Sequence, residues 1–344
     1  MAYNMSTPLL VFCVLLIPLV SGVQVYDCEP GTEPTFCIVN NLVYIPGQDP
    51  LPQVNRSDTV DRIHLNYERF YYPRKSLLSV YDAVLHEAVL RSPPNLAVIN
   101  CHLQTLVMPR DLEVGDFLYN VIKVVETDPT QSYNVRYLDF SHNSLEDLRN
   151  LSVLVNLQTL KLDGNQIDEI KPEMFARMNN LSILSLAYNH IVKIDLKVLP
   201  KTLTTLSLVK NELSEIDFSS VSFVKMREVN LESNRLKALD VVSMMRACPA
   251  LQLLLIEYNP ILKDEALAII MELDRHNVTY SISKVSDSKN SCDEDEYEID
   301  GVCFSKSILG PRTFLKAFML ILVGIVLFGV FALSVRWIWY QMRY

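Results

Sequence analysis

The segment 157-LQTLKLDGNQI-167 returns as 181-LSILSLAYNHI-191 and again as 203-LTTLSLVKNEL-213. In each copy, apolar residues take the first, fourth, sixth and eleventh places, and an asparagine takes the ninth. That asparagine recurs at Asn143, Asn165, Asn189, Asn211, Asn234 and Asn259, in steps of 22, 24, 22, 23 and 25 residues. Apolar residues two apart, such as Leu160 and Leu162, suit a short strand with one buried face. Lys161 and Asp163 then point the other way. The asparagine follows the strand, where the chain turns inward. A buried amide both donates and accepts, so it can satisfy backbone groups of its own turn and of the next unit. Leaving one such group unpaired costs about 1–3 kcal/mol. A periodic asparagine therefore demands a periodic hydrogen-bond network.

The pattern L-x-x-L-x-L-x-x-N-x-L is that of the leucine-rich repeat. The expected fold class is α/β: a leucine-rich-repeat solenoid, or curved parallel β-sheet horseshoe, with strands about 4.8 Å apart. Such a stack is a quasi-one-dimensional surface suited to binding. Six good copies cover Val135 to Ile261. Upstream, 93-PPNLAVINCHLQTL-106 fits with Cys101 in the asparagine place, and 60-VDRIHLNYERF-70 fits with Glu68 there. Segment 112-LEVGDFLYNVI-122 fits poorly, because Gly115 falls at an apolar position.

The flanks suggest a membrane protein. The apolar run 9-LLVFCVLLIPLV-20 reads as the core of a secretory signal peptide over 1–22. The run 317-AFMLILVGIVLFGVFALSV-335 holds no charge and would span about 28 Å as a helix. Trp337, Trp339 and Tyr340 behind it suit a membrane interface. The expected order is an N-terminal cysteine-containing cap (23–59), the repeats (60–262) and a C-terminal cap helix and strand (263–285). An acidic juxtamembrane loop (286–312), a transmembrane helix (313–335) and a cytoplasmic tail (336–344) follow. The expected product is a single-pass type I protein of the plasma membrane with an extracellular ectodomain. That ectodomain, 23–311, carries 27 of the 31 basic residues and all 40 acidic ones, a formal charge of −13. Nucleic acid and anionic lipid are thereby disfavoured as partners.

Six cysteines follow the signal peptide, in an oxidising compartment. Cys28 and Cys37 are expected to form one local disulfide, covering the edge of the first strand. Cys292 and Cys303 are expected to form another, around a turn at Asp300-Gly301. Cys101 and Cys248 lie about six repeats apart, near 30 Å, which is beyond disulfide reach. Both read as buried thiols; the alternative places Cys248 on the convex side, linked to a partner chain. Asn55, Asn150, Asn180 and Asn277 open N-x-S/T sequons and are candidate glycosylation sites.

Chemistry-bearing motifs are missing. There is no H-E-x-x-H, G-x-S-x-G, G-x-G-x-x-G, P-loop or C-x-x-C, so neither an enzyme nor a cofactor or metal is expected. The acidic run 293-DEDEYEID-300 lacks the glycine and ligand spacing of a calcium loop and reads as a solvated spacer. Segment 260-PILKDEALAIIMELDRHNV-278 reads as an amphipathic helix covering the last repeat with Leu267, Ile270, Met271 and Leu273. The side chains that alternate with the buried ones make up the candidate ligand-binding concave face. They are Tyr137, Asp139, His142, Lys161, Asp163, Ile183, Ser185, Tyr188, Lys210, Asn230, Glu232, Leu255, Glu257 and Tyr258. Either that face binds the ligand, or it is solvated and the ligand binds an edge or the convex side.

The repeat block, the early segment from Cys28 to Asn40 and the ending 258-YNPILKDEALAIIMEL-273 resemble insect extracellular leucine-rich-repeat proteins. They resemble the mosquito leucine-rich-repeat immune proteins, here in a membrane-anchored form. The resemblance spans about Cys28 to Tyr280. It implies innate immune recognition and assembly with other secreted proteins. The function expected is a cell-surface receptor that binds a protein or microbial ligand, acting with a co-receptor because a nine-residue tail holds no signalling domain. The rivals are an adhesion or matrix-tethering protein and a regulatory subunit of a membrane receptor complex.

Overall fold

The computed structural model describes residues 22–67, 78–261, 263–280, 296–299 and 302–305. One twelve-stranded sheet runs through it in chain order. Its parallel strands are Phe36–Asn40, Arg62–Asn66, Asn95–Ile99, Val114–Asp116, Tyr137–Asp139, Thr159–Lys161, Ile183–Ser185, Thr205–Ser207, Glu228–Asn230, Leu253–Leu255 and Thr279–Tyr280. The repeats pair in phase: Leu138 lies opposite Leu160, Leu160 opposite Leu184, and Leu184 opposite Leu206. These residues are fully buried, as are Phe140, Leu162, Leu186 and Leu208 two places on. This arrangement is a leucine-rich-repeat solenoid.

The opposite wall changes character along the chain. In the first repeats it is a second parallel sheet of Val80–Tyr81, Thr105–Val107 and Val124–Glu126. Later it consists of 3₁₀ turns at Arg149–Val153 and Leu196–Val198 and of helices at Pro172–Phe175 and Val241–Ala247. Helical returns need about 10 Å of width and strands about 4.8 Å, so the stack bends with the long sheet inside.

The asparagines do what their period demands. Each Oδ1 accepts from a backbone N–H of the preceding repeat. Asn143 takes Ile122 N at 2.9 Å, Asn165 takes Leu145 N at 2.9 Å and Asn189 takes Ile167 N at 3.1 Å. Each Nδ2 donates to the preceding repeat's strand carbonyl: Asn143 to Phe117, Asn165 to Phe140 and Asn189 to Leu162. Asn211, Asn234 and Asn259 repeat the scheme.

The worn repeats are intact. Segment 112–122 is a full repeat, contrary to the expectation from Gly115. Asn120 takes the ninth place, accepts from Cys101 N and Leu103 N, and donates to Val98 O at 2.6 Å. Gly115 is tolerated because Phe117 fills its space: a Cβ there would lie 2.6 Å from the Phe117 ring and 2.8 Å from Leu138. Cys101 substitutes for asparagine; its thiol donates to Leu65 O, the strand carbonyl of the preceding repeat. The place of Glu68 lies outside the described residues.

At the N-terminal end the solenoid begins earlier than position 60. Phe36–Asn40 already pairs parallel with Arg62–Asn66 and buries Cys37 and Val39. Glu29–Pro30 adds antiparallel to that strand, and a Cys28–Cys37 disulfide ties the two. Such a cap covers the edge that would otherwise expose unpaired backbone. Cys248 is fully buried at the end of its helix, and burial pushes its thiol up to about 12. This removes the reading in which Cys248 links to a partner chain.

At the other end the expected helix runs Lys263–Arg275. Its buried residues are Ala266, Ile269, Ile270 and Leu273, whereas Leu267 and Met271 face solvent. The apolar stripe is rotated because Ala266 and Ile269, not Leu267 and Met271, complete the 3.6-residue period with Ile270 and Leu273. Within the expected acidic loop, Glu296–Ile299 and Val302–Ser305 pair as an antiparallel hairpin, with Ile299 opposite Val302. Among the described residues no helix is long and apolar enough to cross a membrane. The signal peptide, the run 313–335, the tail and Cys292 lie outside the described residues.

A buried polar group supports the second sheet. His86 is almost completely buried; its Nδ1 meets the Tyr81 hydroxyl at 2.8 Å and its Nε2 meets Asp111 at 2.8 Å. Burial drives the imidazole below its ordinary range, although the carboxylates of Asp111 and Glu87 pull the other way. The unfolded chain therefore takes up this proton at higher pH than the folded one. Stability from this site is present above the ordinary imidazole value of about 6.5 and is lost as pH falls below it.

Two outcomes are expected. Asn189→Ala strands Ile167 N and Leu162 O and should cost about 3 kcal/mol in chemical denaturation; a loss under about 0.5 kcal/mol would mean that the amide does not join the repeats. His86→Gln should flatten the decline of the denaturation midpoint between about pH 7 and pH 5, and an unchanged slope would assign that decline to another group.

Candidate ligand-binding face

Four places of each repeat lie on the sheet face outside the buried fourth, sixth and ninth: the third, fifth, seventh and eighth. All fourteen residues expected on the concave face occupy these places. Tyr137 and Ile183 hold the third, and Asp139, Lys161, Ser185, Asn230 and Leu255 the fifth. Asp163, Glu232 and Glu257 hold the seventh, and His142, Tyr188, Lys210 and Tyr258 the eighth.

Not all of them are free to touch a ligand. Asp139 is only 8% exposed and Glu257 only 7%, which corrects their reading as outward-facing side chains. Asp139 curls onto its own turn. It accepts from Ser141 N at 2.9 Å and lies 3.4 Å from Lys161 Nζ. Lys161 in turn sits 5.5 Å over the Tyr137 ring. Its bond to Tyr137 and the Asp139 charge hold the ammonium above its ordinary range. Asp163 accepts from the Ser185 hydroxyl and from Ala187 N. Asn230 donates to Glu232 at 3.1 Å. The middle of the face is thus a floor of mutually satisfied polar groups. Tyr137 and Tyr258 stand five repeats apart, on the order of 24 Å, so the fourteen form a strip rather than one pocket. Among the described residues no three His, Cys, Asp or Glu side chains converge on a metal site.

The eighth place is conformationally distinct. Asn100, Tyr119, His142, Gly164, Tyr188, Lys210, Ser233 and Tyr258 all have positive φ, between 52° and 64°. The left-handed turn swings the following residue inward, which is how the asparagine side chain reaches the core. It also aims these backbone N–H groups at the next repeat: His142 N donates to Asp163 O, and Tyr188 N to Val209 O. A residue with a Cβ pays about 1–2 kcal/mol in this region, and glycine or asparagine pays least. Tyrosine nevertheless stands there three times, once every third repeat. Tyr119, Tyr188 and Tyr258 are 53%, 53% and 52% exposed. Tyr119 stacks on His142 with centroids 4.4 Å apart, and Lys210 Nζ lies 4.9 Å over Tyr188.

Sequence reasoning omitted Tyr119 and its strand neighbour Asp116. The signal for both was Asn120, 23 residues before Asn143, set aside because of Gly115. Burial pushes the Asp116 carboxyl upward, and the Asp139 charge adds to this.

The four sequons fall away from these columns. Asn55 ends an exposed strand paired with Val25–Asp27. Asn150 lies on the opposite wall, where its amide donates to Val125 O. Asn180 sits in the turn before a strand and donates to Val155 O. Asn277 sits in the turn after the last helix, with φ 54°.

With this geometry established, similarities to known proteins have a structural frame. Residues 155–200 match the family pattern described as Leucine rich repeat, and residues 133–176 match Leucine Rich repeats (2 copies). The chain is 33% identical over 109 residues to mouse leucine-rich repeats and immunoglobulin-like domains protein 2, covering 31% of this chain and 10% of that protein. It is 43% identical over 88 residues to rat leucine-rich repeat-containing G-protein coupled receptor 5, covering 25% and 9%. The matches thus span about a tenth of these relatives' lengths. Among solved structures, the leucine-rich repeat domain of mosquito APL1B superposes with a TM-score of 0.50 at 20% identity, covering 74% of this chain and 80% of that one; at that identity the likeness concerns the fold. In-phase strands, the recurring buried asparagines and these matches agree on a leucine-rich-repeat fold, with the family patterns covering residues 133–200.

Proposed function

We propose that this is a cell-surface recognition protein that binds a protein or microbial ligand along the concave sheet face. The observation that carries the reading is the row of half-exposed tyrosines, Tyr119, Tyr188 and Tyr258, each on left-handed backbone that favours glycine or asparagine. Tyrosine is enriched among the residues that dominate binding energy. The absence of sequons from the strand face is consistent with this use. The sequence resemblance described above extends the proposal to innate immunity, with a type I membrane anchor at 313–335 and signalling through a co-receptor. Relatives named as a receptor or as a repeat-and-immunoglobulin protein fit a role in binding other proteins. An adhesive or matrix-tethering role would use the same face toward an opposing cell. A regulatory subunit would act through the apolar run instead.

Photo-crosslinking on cells tests the proposal. A photoreactive residue replacing Ile183 on the sheet should give a discrete adduct with the full chain, and one replacing Met271 on the outer helix should not. Adducts from Met271 alone would move the binding surface to the outer wall.

A further inference from the structure

Tyr119 is held from one side. One face of its ring lies on His142, with centroids 4.4 Å apart and planes 13° apart. Its 53% exposure therefore belongs to the other face and the edge. His142 lies flat over Gly164, where a Cβ would stand 2.7 Å from its Nδ1. Glycine at 164 thus lets His142 lie down, and His142 in turn fixes the Tyr119 ring. The three make a rigid aromatic ledge.

The floor beside this ledge is recessed. Strand pairing sets His64, Ala97, Asp116 and Asp139 side by side in the fifth place. Ala97 has the smallest side chain of the four. The face therefore dips between His64 and Asp116, two strands or roughly 10 Å apart. Around the dip, polar groups are open among the described residues. The Asn100 side-chain amide and the Tyr119 hydroxyl have no hydrogen-bond partner. Asp116 accepts from Leu118 N at 3.2 Å through Oδ1, and its Oδ2 is left open. Burial lowers the His64 imidazole, so that wall is neutral near pH 7. The nearby Lys161 is committed to Asp139 and to the Tyr137 ring.

We infer that the dip at Ala97 binds one ring of a neutral saccharide, stacked on Tyr119 and hydrogen-bonded by Asn100 and Asp116. The inference rests on the proposed concave-face recognition and names the class of ligand. A sugar ring has a face of C–H groups that suits an aromatic ring. Its hydroxyls both donate and accept. A carboxylate accepts and an amide does both, so Asp116 and Asn100 can hold neighbouring hydroxyls. An acidic sugar would meet Asp116 with no free cation beside it. A basic side chain would gain from a single carboxylate.

The backbone supplies a test that separates binding from folding. Asn100 occupies the same left-handed place one repeat earlier, with φ 57° against 55° at Tyr119. Tyr119→Asn therefore adopts an arrangement the chain itself uses. Ala97→Leu fills the dip from a partly exposed strand position. Both should leave the melting temperature within a few degrees of the parent chain.

The purified full-length chain, in a detergent without a sugar headgroup, is probed on an array of neutral hexose oligosaccharides, sialylated oligosaccharides and basic peptides. The neutral oligosaccharides are expected to bind. Tyr119→Asn and Ala97→Leu should each weaken them about tenfold or more, and Asp116→Asn should weaken them as well. Tyr119→Phe, which keeps the ring, should lose less than Tyr119→Asn. No binding to neutral sugars overturns the inference, as do sialylated sugars or peptides binding in their place. Neutral-sugar binding that ignores both Tyr119→Asn and Ala97→Leu overturns it too. If Ile183 crosslinks on cells while the neutral sugars fail, concave-face recognition stands and only the saccharide falls. If Ile183 fails as well, both fall.

Discussion

Each buried asparagine amide belongs to two repeats at once. Its oxygen accepts a backbone N–H from the repeat before, and its nitrogen donates to that repeat's strand carbonyl, at Asn143, Asn165, Asn189 and onward. The turn can bury its polar backbone only because this side chain reaches it, and an unpaired group there costs about as much as several methylenes of apolar burial contribute. The amide can reach inward only if the residue before it adopts the left-handed conformation. One interaction therefore sets the spacing of the strands, the closure of the turn and the direction of the rim side chains.

Where the pattern wears, the same requirement is met by other atoms. Cys101 offers a thiol to Leu65 O in place of an amide. Gly115 vacates a core position that Phe117 enters from two residues away, and Phe117 stacks on Phe140 of the next repeat at 5.4 Å. A solenoid accepts such exchanges because each repeat answers only to its neighbours. The N-terminal repeats use a second sheet as their outer wall, and later ones use 3₁₀ turns and short helices.

At the rim, the residues present are not the ones the backbone favours most. Its left-handed turn is imposed by folding. Gly164 shows the relaxed solution, and His142 lies over it, 2.7 Å from where a Cβ would stand. Tyrosine at three of these turns keeps left-handed backbone at an exposed edge, and the proposed recognition role rests on that placement. Most polar groups of the strip are committed to one another, which keeps the face rigid and limits what it can offer to a ligand.

The period of the asparagines and leucines by itself determined the class of fold, the parallel sheet, and which side of each strand a residue occupies. Candidates at the third, fifth and seventh places alternate with the buried fourth and sixth, whereas His142, Tyr188, Lys210 and Tyr258 at the eighth take their direction from left-handed backbone. Sequence also separated Cys101 from Cys248, since repeat number measures distance along a solenoid. It did not determine depth. Asp139 and Glu257 sit on that face yet are buried; Asp139 folds onto Ser141 N of its own turn and lies beside Lys161 of the next repeat. The same holds for the rotated stripe of the last helix, for the second sheet, and for His86, whose partners Tyr81 and Asp111 come from different repeats. Local periodicity encodes direction; the tertiary stack alone decides which outward-pointing groups are left for a partner.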